Sequence, residues 1–379
     1  MDLTTLQASV AASEPRLLTR LRRLVEIESP SGDKASVDRA ADLVSTWATE
    51  LDATIKRHKQ KHFGDVLELR FGPSRSKRGR ILLLGHLDTV WPLGSLAKMP
   101  FRTAQGKLHG PGILDMKSGV LMALEAISAL AETGHLNRPI TLLLNSDEEI
   151  GSPVSRPITE KIAQTCSAVF VLEPAQGLAY KTARKGIGNY QVTVEGIAAH
   201  SGVDFDRGHS AILEMSHLVQ TISAFTARTP GLTVNVGTIQ GGTQSNVVAA
   251  HCTAAVDVRI QRTQEATKVD RLFRALRTTD KACKLTITGG INRPPMERKP
   301  GTIALFKQSR KLAAQLGFTL DEAATGGGSD GNFTAALGIP TLDGMGSIGA
   351  GAHAIHEHID PTHLIPRTTL LAALLATTD

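Results

Sequence analysis

The 379-residue chain has few aromatic residues and only three cysteines, and each scarcity argues against a class of protein. Aromatic residues make up only 4% of it, and none interleaves with the densest basic cluster, at residues 75–80. A stacking platform for single-stranded nucleic acid is therefore not predicted. The three cysteines, Cys166, Cys252 and Cys283, lie far apart and form no CxxC pair. Neither a disulfide framework nor a thiolate zinc site is expected from them.

Long apolar runs are also missing. No run approaches the length of about 18 residues that a membrane-spanning helix requires. Residues 1–30 carry acidic and basic side chains throughout, without the apolar core of a signal peptide. The net charge of +6 is mild and its basic residues are scattered. We therefore expect a cytoplasmic protein without a nucleic-acid or membrane partner.

Hydrophobic residues make up 41% of the chain, and its length suggests two domains. In the first half, short apolar runs that predict buried strands alternate with segments of helical periodicity. This alternation indicates an α/β domain with a mostly parallel sheet. The predicted strands cover 66–71, 81–84, 140–144 and 168–172, and the predicted helices cover 17–25, 37–51, 117–132 and 158–163.

The pattern changes near residue 184 to the order β-α-β-β-α-β, which is typical of a ferredoxin-like unit. Its predicted strands cover 188–196, 231–240, 251–260 and 284–289, and its predicted helices cover 207–226 and 265–278. The sequence Asn292-Arg293-Pro294-Pro295 then breaks the pattern. We expect residues 1–183 and 292–379 to form a catalytic domain into which residues 184–291 are inserted.

Polar side chains follow the predicted buried strands of the α/β domain. The strand ends and two glycine-rich segments carry His86, Asp88, Asp115, Glu148, Glu149, Glu173 and His353. Because ligands of open α/β sheets bind at the carboxyl ends of strands, we expect these side chains to converge. Imidazole and carboxylate groups are the ligands that zinc and related divalent ions prefer.

The spacing of these residues also suits metal chemistry. A metal-bound histidine usually donates its other ring N–H to a carboxylate, and His86 with Asp88 can form such a pair. Adjacent acids such as Glu148 and Glu149 repel each other unless a cation lies between them. Taken alone, each motif has an ordinary explanation, such as a helix cap for Asp115. Their recurrence at several strand ends and turns of one domain predicts a metal site.

At these residues the chain resembles the M20 metallopeptidases. The resemblance rests on the segments Gly85–Val90, Gly112–Gly119 and Asp147–Ser152, and it is nearest to the glutamate carboxypeptidase branch, alongside aminoacylases and desuccinylases. It implies two divalent ions per chain, with zinc favoured over cobalt or manganese. It also implies that residues 184–291 form a lid domain through which two chains make a homodimer. A cis peptide bond after Asp115 is implied as well.

The resemblance assigns roles by position. One ion would be held by His86, Asp115 and Glu173, and the other by Asp115, Glu149 and His353. Glu148 would be the general base, and Asp88 would orient His86. The tail also offers His356 and His358 as ligands, but the family pattern of a histidine followed four residues later by a glutamate selects His353 with Glu357.

Further matched positions concern the substrate. His200, in Gly196–Gly202, would reach the active site of the partner subunit and stabilise the oxyanion. Asn246 and Arg259 fall on substrate-binding positions, and Arg259 suits a bidentate contact with an α-carboxylate. An ordinary salt bridge is the alternative role of Arg259. Gly328 and Ser329 belong to a glycine-rich loop that would line the substrate cleft.

These expectations describe a two-metal hydrolase that cleaves an amide bond next to a free α-carboxylate. It would act as a carboxypeptidase releasing a C-terminal amino acid, with glutamate suggested by the branch alone, or as an N-acyl amino acid amidohydrolase. A biosynthetic N-deacylase, such as a desuccinylase or deacetylase, would share the fold and the metals and is the alternative. A non-catalytic binding protein would be expected to lack Glu148 or a ligand, and the sequence retains them all.

Overall fold

The computed structural model describes residues 2–228 and 230–378, which divide into two compact units. Unit 1 comprises Met1–Ala183, Arg298–Thr325 and Ser329–Asp379, and unit 2 comprises Arg184–Glu297 and Gly326–Gly328. The helices are α1 (Leu3–Ala12), α2 (Glu14–Val25), α3 (Lys34–Thr49), α4 (Ser118–Glu132), α5 (Arg156–Ala163), α6 (Ala211–Ser223), α7 (Thr263–Arg274), α8 (Pro300–Gln315), α9 (Gly331–Ala336) and α10 (Leu364–Thr377). Among the described residues, no helix is long and apolar enough to span a membrane.

In the part of the chain that the structure describes, the strands fall into four sheets. They are β1 (Thr54–His58), β2 (Val66–Phe71), β3 (Arg80–His86), β4 (Arg102–Ala104), β5 (Lys107–His109), β6 (Ile140–Asn145), β7 (Cys166–Val171), β8 (Ala179–Arg184), β9 (Gly186–Glu195), β10 (Thr233–Gly241), β11 (His251–Ile260), β12 (Lys284–Arg293), β13 (Asp321–Thr325), β14 (Thr341–Leu342), β15 (Gly349–Ala350) and β16 (His358–Ile359).

The main sheet of unit 1 has the strand order β1-β2-β6-β3-β7-β14. Strand β3 pairs in parallel with β6 and β7, and β14 pairs in parallel with β7. Strands β3 and β6 are buried almost throughout, which explains why they appear in the sequence as continuous apolar runs. The expected α/β fold with a mostly parallel sheet is confirmed, although β2 runs antiparallel to β6.

Unit 2 contains β9, α6, β10, β11, α7 and β12 in that order. Its four strands form a sheet of order β10-β11-β9-β12 in which all neighbours are antiparallel. Alternate residues of β9 and β11 are buried, as expected for a sheet with one face covered. Tyr190 and Phe273 stack in the core at a centroid distance of 3.8 Å. The ferredoxin-like prediction is confirmed.

Several predicted element ends in this region were wrong, among them the end of α7, which lies at Arg274 instead of 278. Two further differences have a clear physical reason. Helix α6 begins at Ala211 instead of 207, because the Ser210 side chain accepts the amide of Leu213 and caps the helix there. Strand β12 continues to Arg293, beyond the predicted end at 289, because its residues pair with β9 up to Arg293. The strand ends before Pro294, which has no N–H to donate to a ladder.

The start of helix α4 lies against the chain that follows strand β7. A Cβ atom at Gly119 would lie 2.2 Å from the carbonyl oxygen of Leu172, so a residue larger than glycine would force the backbone apart. Leu172 immediately precedes Glu173, and Gly119 lies four residues after Asp115. This close approach therefore fixes the relative positions of two of the predicted ligands.

We expect Gly119→Ala to lower the free energy of unfolding by about 1–3 kcal/mol, since the added methyl group overpacks a buried contact. Urea denaturation at equilibrium measures the difference. Gly32→Ala is the matched control, because no atom of the described residues other than Gly32 and its two chain neighbours lies within 4 Å of its Cβ position. Equal stabilities of the two variants would contradict the close-packing argument.

Candidate metal centre

The first cluster joins the end of β3, the turn before α4 and the residue after Leu172. His86 Nε2 lies 3.2 Å from Asp115 Oδ1 and 3.7 Å from Glu173 Oε1. The three side chains offer ligand atoms that all lie within 4.8 Å of one another, the spacing of a group that could hold a metal ion. Convergence at the strand ends therefore occurs as the sheet topology predicted.

A second cluster shares Asp115 with the first. His353 Nε2 lies 3.4 Å from Asp115 Oδ2 and 3.2 Å from Glu149 Oε2, and the three residues again meet the metal-site spacing. The two carboxylate oxygens of Asp115 thus face different histidines, Oδ1 towards His86 and Oδ2 towards His353. The peptide bond between Asp115 and Met116 is cis, as the resemblance implied.

The donor set fits divalent cations. Three carboxylates and two imidazoles are the ligand types that suit zinc and its neighbours. Oε1 of Glu149 is buried without a hydrogen-bond partner among the described residues, and burial raises the pKa of this carboxyl group. A buried carboxylate oxygen without a partner is costly unless a cation or donor meets it. A bound divalent ion would remove that cost.

Asp88 is buried, but its carboxylate does more than face His86. His86 Nδ1 lies 2.9 Å from the main-chain oxygen of Asp88 and 3.5 Å from its Oδ1. The carboxylate instead accepts the amide of Glu148 at Oδ1 (3.2 Å), and it accepts the amide of Glu149 (3.1 Å) and the Ser31 hydroxyl (2.7 Å) at Oδ2. Asp88 therefore fixes the turn that carries Glu148 and Glu149.

The tail around His353 contains one residue whose contacts the sequence did not predict. Glu357 is buried, and its carboxylate accepts hydrogen bonds from the segment that carries Asp115. His356 and His358 belong to neither metal-site cluster within the described residues. The ring of His358 instead lies 5.3 Å from that of His109, its partner on the neighbouring strand.

The predicted substrate residues lie mainly in unit 2. His200 Nδ1 accepts the amide of Gly202 at 3.1 Å, and Asn246 accepts the amide of Ser201 through its main-chain oxygen. Arg259 donates to both carboxylate oxygens of Asp257, at 2.8 and 2.9 Å, and to the carbonyl of Gly326.

The two loop positions belong to different units. Gly328 is in unit 2, where its carbonyl accepts a hydrogen bond from Arg184 at 3.0 Å. Ser329 is in unit 1, fully buried, and its hydroxyl donates to Asp343 Oδ2 at 2.6 Å. The Ser329 side chain is therefore engaged inside unit 1.

A mostly parallel α/β sheet with histidine and carboxylate clusters at its strand ends is the arrangement of a metallopeptidase. The model of Peptidase family M20/M25/M40 matches residues 82–377, and the chain belongs to this family. It is similar to carboxypeptidase G2 from Pseudomonas sp. (strain RS-16), with 31% identity over 373 residues that cover 96% of this chain and 89% of the relative. Acetylornithine deacetylase from Salmonella arizonae is 29% identical over 263 residues, covering 65% of this chain and 68% of the relative.

Solved structures show the same fold. Aminopeptidase PepT from Bacillus cereus superimposes with a TM-score of 0.80 at 22% identity, covering 96% of this chain and 98% of that chain. An M20 family metallo-carboxypeptidase from Sulfolobus solfataricus gives a TM-score of 0.76 at 16% identity, covering 95% and 98%. With the family match and the relatives, the fold defines the chain as a hydrolytic metallopeptidase.

We expect zinc binding to the metal-free protein to release protons. Hydrogen bonds with Asp115 and Glu149 raise the pKa of His353 to about 10. Burial alone would lower the pKa of His86, but Asp115 and Asp88 raise it well above its usual value. Since the pKa of His353 lies above neutrality, its imidazole carries a proton at pH 7, and a metal ligand must be neutral. Apparent zinc affinity should therefore rise with pH.

Calorimetric titration with zinc in buffers of different ionisation enthalpy measures this release. The observed heat should depend on the buffer, and His353→Ala should release fewer protons than the wild type. A heat that is the same in every buffer would contradict the protonation assigned to His353.

Proposed function

We propose that the chain hydrolyses an amide bond next to a free α-carboxylate with two divalent ions, zinc being favoured. The observation that carries the proposal is the position of Asp115 between two histidines, each accompanied by a further carboxylate. The ions would be held by His86, Asp115 and Glu173 and by Asp115, Glu149 and His353. Bound there, they would polarise the scissile carbonyl and lower the pKa of the attacking water.

Glu148 would be the general base. Asp88 holds its amide, so the side chain projects from a turn that is anchored beside His86. The Glu148 carboxylate would accept a proton from the attacking water and then deliver it to the leaving nitrogen. The neighbouring Glu149 side chain is oriented towards His353, which separates the proposed roles of the two adjacent acids.

Two residues of unit 2 would recognise the substrate. Because Nδ1 of His200 accepts the Gly202 amide, the neutral ring carries its proton on Nε2, where it can donate to an oxyanion. We propose that this donor serves the active site of a partner subunit. Arg259 is held by Asp257 and the Gly326 carbonyl, and its guanidinium has five N–H donors, so it can also bind an α-carboxylate. Asn246 would contact the substrate beside it.

A homodimer through unit 2 is part of the proposal. Strand β10 lies at the edge of the sheet and is mostly exposed, and an exposed edge favours pairing with another strand. Unit 2 also exposes the apolar side chains Ile197, Val203, Phe205, Ile212, Leu213 and Ile239. Exposed apolar groups of this kind mark interaction surfaces.

The substrate is proposed to be a peptide with a free C-terminus or an N-acyl amino acid. The similarity to carboxypeptidase G2, 31% identical over 96% of this chain, favours release of a C-terminal amino acid, with glutamate as one candidate. An N-deacylase of biosynthesis is the second candidate, supported by the similarity to acetylornithine deacetylase and to succinyl-diaminopimelate desuccinylases.

We expect Glu148→Gln to retain its metal and to lose about 10²–10⁴-fold in kcat, the usual contribution of a general base. The assay uses N-acetyl, N-benzoyl and N-succinyl amino acids and dipeptides, each with a free and an amidated carboxyl end. Only the free acids should be cleaved, and the preferred acyl group distinguishes carboxypeptidase from desuccinylase. Glu132→Gln, at an exposed acid of α4, is the control. Full activity of Glu148→Gln, or a metal-free active wild type, would refute the proposed mechanism.

We expect Ile239→Asp to shift the protein from dimer to monomer, since it places a charge on the exposed edge strand β10. Light scattering coupled to size-exclusion chromatography gives the molar mass. Ile55→Asp, at an exposed isoleucine of β1 in unit 1, should leave the dimer intact. A dimer that survives Ile239→Asp and dissociates with Ile55→Asp would place the interface elsewhere.

A further inference from the structure

Glu357 is a buried carboxylate, 1% exposed, that receives four N–H donors. Its Oε1 accepts the amides of Leu114 at 2.9 Å and Asp115 at 3.1 Å. Its Oε2 accepts the amide of Gly112 at 3.0 Å and the indole N–H of Trp91 at 2.8 Å. Three of these donors are main-chain groups of the segment that presents Asp115.

The segment needs an external acceptor because its own backbone is not regularly helical. Asp115 has φ −116° and ψ 91°, and Gly112 has a left-handed φ of 68°. A buried amide that lacks an acceptor destabilises the folded state, because it has lost its hydrogen bond to water. An ionised carboxylate only accepts hydrogen bonds. The two oxygens of Glu357 can therefore accept three amides of the segment and the indole N–H at the same time.

Glu357 also connects this segment to the loop of His353. The amide of Glu357 donates to the carbonyl of Ala354 at 2.8 Å, and the amide of Ala354 donates to the carbonyl of Gly351 at 2.8 Å. His353 lies inside this compact turn with a left-handed φ of 62°, which is uncommon for a residue other than glycine. Glu357 therefore contacts the Asp115 segment through its carboxylate and the turn of His353 through its main-chain amide.

We propose that Glu357 is a positioning residue that holds Asp115 between the two histidines before any ion binds. The inference rests on the proposed two-metal centre. Because Asp115 belongs to both clusters, loss of Glu357 weakens both sites together. A residue with a purely structural role would lower stability and leave metal affinity unchanged.

Glu357→Gln tests this proposal, since it keeps the shape but places an NH₂ group against N–H donors. Zinc affinity of the metal-free protein is measured by competition with a chromophoric chelator, and the cobalt-loaded protein is compared by its visible absorption spectrum. We expect both zinc equivalents to bind about 10–100-fold more weakly, as for other groups that support metal ligands. The cobalt spectrum should change with them.

Glu214→Gln is the matched control. Glu214 is 3% exposed in unit 2 and likewise accepts two main-chain amides, those of Thr279 at 2.8 Å and Asp280 at 3.1 Å. We expect its substitution to lower the melting temperature of the metal-free protein without changing zinc affinity. If Glu357→Gln behaves in the same way, with wild-type affinity and spectrum, the positioning role is wrong.

A second variant, Glu357→Asp, covers the case in which Glu357→Gln does not fold. Glu357→Asp keeps a carboxylate but shortens its reach by one methylene, so that it cannot meet all four N–H donors. Both zinc equivalents should again bind more weakly than to the wild type, and wild-type affinity of this variant would overturn the proposal. A wild type that binds no zinc would instead refute the metal centre itself.

Discussion

The centre of this molecule depends on one carboxylate that faces two imidazoles. Asp115 directs Oδ1 to His86 and Oδ2 to His353, with Glu173 beside the first histidine and Glu149 beside the second. Burial alone would raise the pKa of Asp115, but the two histidines lower it well below its usual range. Three carboxylates so close together remain ionised only if positive charge is near them. Protons on the histidines or divalent cations can provide that charge, and the two compete for the same nitrogen atoms.

The surrounding fold serves to keep this carboxylate and its neighbours in place. Gly119 allows helix α4 to approach the Leu172 carbonyl, and this contact sets the Asp115 segment against Glu173. Asp88 anchors the amides of Glu148 and Glu149. Each constraint acts through main-chain atoms. The ligands are therefore positioned by the backbone, which supports the preorganised geometry that a metal site requires.

Much of this arrangement could be predicted because it follows from burial and topology. The strands that lead to His86, Glu149 and Glu173 are continuous apolar runs, and parallel strands bring their carboxyl ends to one edge. The resemblance supplied the pairing of the predicted ligands, and the structure places the same residues in two clusters.

Contacts between a side chain and a distant main-chain group could not be predicted. Glu357 accepts hydrogen bonds from main-chain amides more than 240 residues earlier in the sequence. Almost every residue has such an amide, so the sequence does not show which ones a distant carboxylate will meet. The carboxylate of Asp88 was expected to orient His86, whereas its closest contacts are two amides and a hydroxyl. The extension of β12 to Arg293 likewise depends on pairing with β9, a tertiary contact that local propensity does not encode.

The most direct test of the central claim is anomalous X-ray scattering at the zinc edge from crystals of the zinc-loaded protein. The account predicts two peaks, one bonded to His86 and Glu173 and the other to Glu149 and His353, with one oxygen of Asp115 bonded to each. A single peak, or two peaks that do not share Asp115, would contradict it.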